Sequence, residues 1–283
     1  MVEYRMRVGA HISIAGGFAA AVARARELGC DCMQVFLDSP RAWQVRRHTA
    51  DEAAEIRRMV RAAGLRPLVV HMTYLLNLAS PDSRILRLSR RSFARELEEA
   101  EHIGADFYVI HPGSHRGAGI ARGISTLADS IAGAQTPVRI LVENTAGSGN
   151  TLGGEWTQYA PLAARFGSHI GFCLDTAHAF ASGYDLRQKE ELERMLGEIE
   201  KFAGLEYIVL IHANDSASAA GSRVDRHAHL GTGQMGLAGL RSVVRHPYLG
   251  TLPFVIETPK DNGASDRKNL AVLRQLGERY ARG

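Results

Sequence analysis

The stretch EYIVLIHANDSASAAGSRVDRHAHLGTGQMG, residues 206–236, decides how the rest of the chain is read. Tyr207 to Ile211 is an apolar run of the kind found in parallel strands covered on both faces. It stops on His212, and the polar segment beyond it carries Asp225, His227 and His229. A carboxylate and two imidazoles so close together, just past a strand end bearing another imidazole, suit a metal better than packing. One isolated D-x-H triplet reads more readily as a solvated loop. Repetition of the pattern along the chain shifts the balance.

Working outward, apolar strand-like segments recur, each followed by a polar residue. Met6–Ala10 runs into His11, Met33–Leu37 into Asp38 and Pro67–Val70 into His71; Phe107–Ile110 runs into His111 and Val138–Val142 into Glu143. Ile170–Leu174 leads to Asp175, Tyr207–Ile211 to His212 and Pro253–Ile256 to Glu257. Amphipathic segments with helical spacing lie between them: Phe18–Leu28, Asp51–Ala63, Ser83–Ile103, Ile120–Ala134, Trp156–Phe166, Arg187–Phe202, Leu237–His246 and Ala264–Arg282. Gly29, Gly64, Gly104 and Gly204 stand where helix ends need a positive φ. Repeated βα units with right-handed crossovers predict an α/β fold, a single (β/α)8 TIM barrel over residues 1–283. Such barrels work at the C-terminal ends of their strands. Acids and imidazoles crowded on one rim would repel one another or be desolvated, and a divalent metal resolves that conflict.

Composition agrees. A barrel of this kind needs roughly 250 residues, and the chain has 283, with 45% hydrophobic and 23% charged residues. Cys30, Cys32 and Cys173 sit in apolar, strand-like contexts and read as buried free thiols of a reducing compartment. The opening MVEYRMRVGAH has no signal-peptide h-region, and no apolar run approaches the roughly 20 residues that span a bilayer. A cytoplasmic protein without a membrane partner is expected. The net charge of +4 permits a polyanionic partner without demonstrating one.

The candidate metal ligands are His71, His111, Glu143, Asp175, His178, His212, Asp225, His227 and Glu257. Imidazoles and carboxylates together suit zinc, with manganese or iron as substitutes. The set is too large for one tetrahedral ion and fits three ions if one carboxylate bridges.

These residues carry a resemblance. GAHIS (9–13), HPGSH (111–115), VENTAG (142–147), LDTAHAFASGYDL (174–186), HANDS (212–216), GSRVDRH (221–227) and ET (257–258) resemble the endonuclease IV family of apurinic/apyrimidinic (AP) endonucleases. The match runs in order over nearly the whole chain. It implies a zinc-dependent enzyme of base-excision DNA repair that hydrolyses the phosphodiester 5′ to an abasic site, leaving a 3′-hydroxyl and a 5′-deoxyribose phosphate. Trimming of blocked 3′ ends is a related activity. By the same resemblance Glu143 bridges two zincs, with His71 and His111 completing the first site. Asp175, His212 and Glu257 complete the second, while His178, Asp225 and His227 hold the third. Glu143 is then also the candidate general base toward the attacking water.

The resemblance also points to double-stranded DNA as partner. It assigns Arg41, Tyr74 and Leu75 to the base stack at the lesion, and Arg223 and Arg226 beside the third site are candidate phosphate contacts. The family commonly has Lys-Asn where Asp38-Ser39 precede Pro40-Arg41, which predicts weaker phosphate attraction. His115 and His229 are expected to support ligands or touch phosphate, and His11 to be a buried, hydrogen-bonded histidine. Gly231-Thr232-Gly233-Gln234-Met235-Gly236 matches the dinucleotide fingerprint but lacks the strand that must immediately precede it. No nucleotide cofactor is expected, and the glycines are read as shaping the loop of Asp225 and His227. The rival reading is a sugar isomerase or epimerase on the same barrel, and a monomer is expected in either case.

Overall fold

A computed structural model describes residues 6–37, 46–260 and 264–278. In chain order the strands are β1 (Val8–His11), β2 (Cys32–Val35), β3 (Leu68–His71), β4 (Phe107–Ile110), β5 (Arg139–Glu143), β6 (Ile170–Asp175) and β7 (Ile208–His212), then β8 (Asp215–Ser216), β9 (His227–Ala228) and β10 (Phe254–Ile256). All but β8 and β9 close into a parallel barrel in the order β1-β10-β7-β6-β5-β4-β3-β2. The helices are α1 (Phe18–Glu27), α2 (Ala50–Ala62), α3 (Ser83–His102), α4 (Ile120–Ala132), α5 (Ala160–Phe166), α6 (Thr176–Ser182), α7 (Lys189–Phe202), α8 (Gly236–Val244) and α9 (Ala264–Glu278). The expected barrel is therefore observed.

Local sequence explains where elements start and stop. Thr49 and Glu52 form a reciprocal capping box on α2, and the Asp82 carboxylate accepts the Arg84 and Ile85 amides at the start of α3. Gly29, Gly64, Gly104 and Gly204 all take the positive φ expected of them. Two features differ from the sequence reading. The second strand ends at Val35 instead of Leu37, so Asp38 is not its terminal residue; Asp38, Ser39, Arg41 and Trp43 lie outside the described residues. LDTAH opens a helix absent from the segments of helical spacing: Asp175 caps α6, its carboxylate accepting the His178 amide at 2.7 Å.

The barrel interior positions the site. Cys32, Val69, Val109, Leu141, Cys173, Leu210 and Val255 pack together as one apolar layer inside it. Side chains alternate along a strand, so the next inward residue is two positions on. That step gives Gln34, His71, His111, Glu143, Asp175, His212 and Glu257, the polar rim. Both thiols in the layer are fully buried, and burial pushes the Cys173 thiol up to about 12.

Gly9 is the β1 partner of Cys32 and Val255 in this layer. A Cβ there would stand 2.0 Å from the Cys32 carbonyl oxygen, a backbone atom that cannot swing aside. Gly9→Ala is accordingly expected to cost roughly 2–3 kcal/mol, as an overpacked core does. Chemical unfolding checks this, and removing the Cys32 side chain as well should not restore the loss.

Candidate metal centre

Glu143 ends β5 fully buried, and each of its oxygens faces two imidazoles. Oε2 lies 3.2 Å from His71 Nε2 and 3.3 Å from His111 Nε2, while Oε1 lies 3.1 Å from His212 Nδ1 and 3.3 Å from His178 Nδ1. A carboxylate presented this way is shaped to stand between two cations. His212 Nδ1 is also 3.2 Å from Glu257 Oε2. On the far side, Asp225 reaches back over the cavity, with Oδ2 at 3.1 Å from His178 Nε2 and Oδ1 at 3.4 Å from His227 Nε2. Asp175 Oδ2 lies 3.7 Å from His227 Nε2, so it stands between the β7 side of the cluster and the Asp225 side. All nine residues singled out in the sequence thus meet at one end of the barrel.

Among the described residues five groupings have mutually close donor atoms, all within 4.8 Å, including His71, His111 and Glu143; Glu143, Asp175, His212 and Glu257; and Asp175, His178 and His227, where Asp175 and not Asp225 is the carboxylate. The imidazole tautomers suit a cation. His71 Nδ1 is 2.8 Å from the Met72 carbonyl, His178 Nδ1 is 2.9 Å from that of Asn144, and His227 Nδ1 is 3.2 Å from that of Glu257. Carbonyls only accept, so these nitrogens carry the protons and leave Nε2 with its lone pair for a ligand. His212 is reversed: Nε2 donates to Gln34 Oε1 at 2.8 Å, which frees Nδ1. His178 Nε2 and His227 Nε2 are buried with no hydrogen-bond partner among the described residues. Two orphaned, buried nitrogens converging with a carboxylate are what a divalent cation site requires.

Several supporting residues are not picked out by residue type: Gln34 lies outside every quoted motif, and Asn144 and Asn214 lie within VENTAG and HANDS. The Gln34 amide donates to Glu257 Oε1 at 2.6 Å while its oxygen accepts from His212. Asn144 clamps the Asp175 backbone, accepting its amide at 2.6 Å and donating to its carbonyl at 3.0 Å. Asn214 donates to Asp175 Oδ2 at 2.6 Å and accepts the Glu257 amide at 2.7 Å. The glycine-rich run proves to be a cradle for a carboxylate of the chain itself. Asp215 accepts the amides of Gly231 and Gly233 at 2.9 Å and of Gly236 at 3.0 Å, and a Cβ on Gly233 would strike it at 2.5 Å.

The remaining histidines divide. His11 is hydrogen-bonded to Gln34 at 3.1 Å, as expected of a buried histidine. His115 is a loop cap, its Nδ1 accepting the Gly117 and Gly119 amides, so its role is structural. His229 pairs with Asn269 of α9 at 3.2 Å and touches no member of the cluster directly.

A cavity of about 360 Å³ opens over the cluster, walled by His11, Phe36, Tyr74, Thr258, Pro259 and Lys260 besides all of the cluster except the fully buried Glu143, Asp175 and His212. The Tyr74–Leu75 pair is split. Tyr74 is 70% exposed and edge-on to Phe36 at 5.3 Å between centroids, while Leu75 packs against the core. Arg223 takes a left-handed φ of 55° and donates to the Gly147 carbonyl at 3.3 Å, tying its loop to the one after β5. Arg226 is exposed in the same loop. Among the described residues no helix is long and apolar enough to cross a membrane.

With this geometry in place, the class follows: residues 22–276 match the xylose isomerase-like TIM barrel family. The chain is 39% identical over 274 residues to a protein named probable endonuclease 4 from Halothermothrix orenii, covering 95% of this chain and 99% of the other. It superposes on the crystal structure of endonuclease IV from Thermus thermophilus with a TM-score of 0.86 at 38% identity, over 96% of this chain and 99% of that one. The chain belongs to the endonuclease IV family. A D-tagatose 3-epimerase-like protein shares the fold alone, with a TM-score of 0.73 at 15% identity over 97% of this chain and 98% of that one.

Charges in the cluster lean on one another. Burial would raise the Glu143 and Glu257 carboxyls, yet His212 beside both, His111 beside Glu143 and His11 beside Glu257 hold them well below the usual range. Burial would lower His178 and His212, yet Asp175 and Glu143 around His178, and Glu257 and Glu143 around His212, push both well above theirs. The raised histidines stabilise the metal-free fold fully below their ordinary value of 6.5, and that support is lost as pH climbs through their folded values. The depressed carboxyls contribute fully above 4.5 and lose their contribution as pH falls through their folded values. Thermal melts of chelator-stripped protein should therefore peak between pH 4.5 and 6.5 and decline toward alkaline pH. Zinc added at neutral pH should release protons, detectable in calorimetry run in buffers of different ionisation enthalpy.

Proposed function

We propose that the chain, acting as one barrel domain, is a zinc-dependent AP endonuclease of base-excision repair. The observation that carries the reading is the convergence of eight ligand-type side chains on one rim, with Asp225 closing over His178 and His227 and two buried imidazole nitrogens left for a cation. In this reading His71, His111 and Glu143 hold one ion, and Glu143, Asp175, His212 and Glu257 the second. His178, Asp225 and His227 hold the third. Manganese or iron would be accepted by the same donors.

Zinc, when bound, supplies Lewis acidity toward phosphate oxygens and brings the pKa of water near neutrality. The residues do the rest. Gln34, Asn144 and Asn214 fix the donor atoms, so little reorganisation accompanies the reaction. Glu143, held ionised among its imidazoles, accepts the proton of the attacking water on a carboxylate oxygen. The phosphodiester 5′ to the abasic sugar is hydrolysed, giving a 3′-hydroxyl and a 5′-deoxyribose phosphate. The same hydrolysis at a blocked terminus constitutes 3′-end trimming.

Double-stranded DNA crosses the cavity mouth. Tyr74, exposed beside the cluster, enters the stack at the missing base, supported by Leu75 beneath it and by Arg41 from the loop after β2. Arg223 and Arg226 lie along the backbone. The enzyme acts as a cytoplasmic monomer. A sugar epimerase on the same barrel needs neither the His178–Asp225–His227 group nor an exposed aromatic at the mouth, which favours the nuclease reading.

A duplex with a single abasic analogue tests this. Metal-replete protein should nick it immediately 5′ to the lesion with an extendable 3′-hydroxyl, and stripping with a chelator should abolish the nick; no nick from metal-replete protein would sink the reading. Asp225→Asn should lose about one of three bound metals and slow incision at least ~100-fold. Tyr74→Ala should keep its metals and weaken preference for abasic over intact duplex by about tenfold, one stacking contact's worth.

A further inference from the structure

The segment after β10 opens with Glu257, Thr258, Pro259 and Lys260, and all four line the mouth of the cavity over the cluster. Lys260 is the sole lysine or arginine among the described residues lining it. Every other ionisable group there is an imidazole, a carboxylate or the Tyr74 phenol. No sequence motif singled Lys260 out.

Its ammonium is held in place. Lys260 Nζ lies 3.0 and 2.9 Å from the two carboxylate oxygens of Asp266, which sits in the first turn of α9 and is nearly buried. Asp266 Oδ1 also accepts from the Thr258 hydroxyl at 3.4 Å, and Asn269 donates to that hydroxyl at 2.9 Å. The segment is thus laced to α9 at two points, and the lysine tail is restrained before any ligand arrives. An ammonium has three donors and Asp266 engages at most two. The side chain is still 49% exposed, and the residue lines the cavity. Much of the side-chain entropy that capture of an anion normally costs has already been spent on this pair. An ion pair this exposed adds little to stability by itself, which leaves its placement unexplained by folding alone.

We infer that Lys260, aimed by Asp266, binds a phosphate of the DNA strand lying across the cavity. The inference rests on the nuclease reading and extends it to a substrate contact. Lys260 is a binding residue and Asp266 a positioning residue; neither takes part in proton transfer. The phosphate is either the one being hydrolysed or its neighbour, and both present the same anionic oxygens.

Anisotropy titrations of metal-replete protein with a duplex bearing a non-cleavable abasic analogue, run over a salt series, test this. Lys260→Met should weaken binding roughly fivefold at low salt and lower the slope of log K against log salt by about 0.9, one phosphate's worth. Lys260→Arg should restore the slope, and Asp266→Asn, which keeps the ammonium, should keep it too. Single methylphosphonate linkages walked along the strand should cost the natural protein affinity at one position and leave Lys260→Met indifferent there. That position separates the hydrolysed phosphate from its neighbour. An unchanged slope in Lys260→Met, or equal losses in Lys260→Met and Asp266→Asn at unaltered slope, would reduce the pair to a loop clamp and overturn the inference. Failure of the natural protein to bind the abasic duplex overturns the nuclease reading instead, so the two failures are distinguishable.

Discussion

The Glu143 carboxylate, fully buried and met by four imidazoles at 3.1–3.3 Å, is the constraint on which the rest of the rim depends. An isolated carboxylate at that depth would be strongly penalised. Its neighbours offset the penalty only by gathering at one point, so β3, β4, β7 and α6 must each deliver a histidine there. The barrel places His71, His111 and His212 through alternation along its strands, and α6, capped by Asp175, brings His178. An apolar inner layer fixes the register, and the residue two positions on becomes part of the rim.

The imidazoles need their own restraint, because a ring that rotates presents the wrong nitrogen. Backbone carbonyls of Met72, Asn144 and Glu257 settle three of them, and the Gln34 amide settles His212 in the opposite sense. Asn214 then ties Asp175 to the Glu257 backbone, joining β6 to the segment after β10. Further out, the glycine amides folded around Asp215 hold the turn between β9 and α8, the loop on which His227 approaches. The centre is thus embedded in a neutral amide framework, a preorganised setting for charge that develops during hydrolysis.

Much of this was legible in the sequence. Strand after strand ends in an acid or imidazole, and hydrophobic periodicity located each barrel strand to within a few residues. The gathering of His71, His111, Glu143, Asp175, His212 and Glu257 follows from that alternation, while His178 arrives on α6 and Asp225 and His227 on the long segment after β8. Gln34 lies outside every recognisable motif, and the roles of Asn144 and Asn214 within VENTAG and HANDS are not legible, because a single amide has no spacing signature and its importance lies in what it touches. The glycine run reads in sequence as shaping the loop of Asp225 and His227; that its amides do so by cradling Asp215 is a pairing only the tertiary fold creates. α6 was missed since a seven-residue helix is too short for periodicity to announce it. Lys260 was passed over because nothing in ETPK distinguishes a cavity-facing lysine from a solvated one. The resemblance assigns Leu75 to the stack together with Tyr74, whereas the chain sends Tyr74 outward and packs Leu75 against the core.

The central claim is that one buried carboxylate organises a centre of several metal ions. Anomalous scattering from a zinc-loaded crystal, recorded on both sides of the zinc edge, addresses it most directly. The account predicts three zinc peaks at the barrel mouth, two of them flanking Glu143 and the third among His178, Asp225 and His227. A single peak, or ions that leave Glu143 uncontacted, would contradict it.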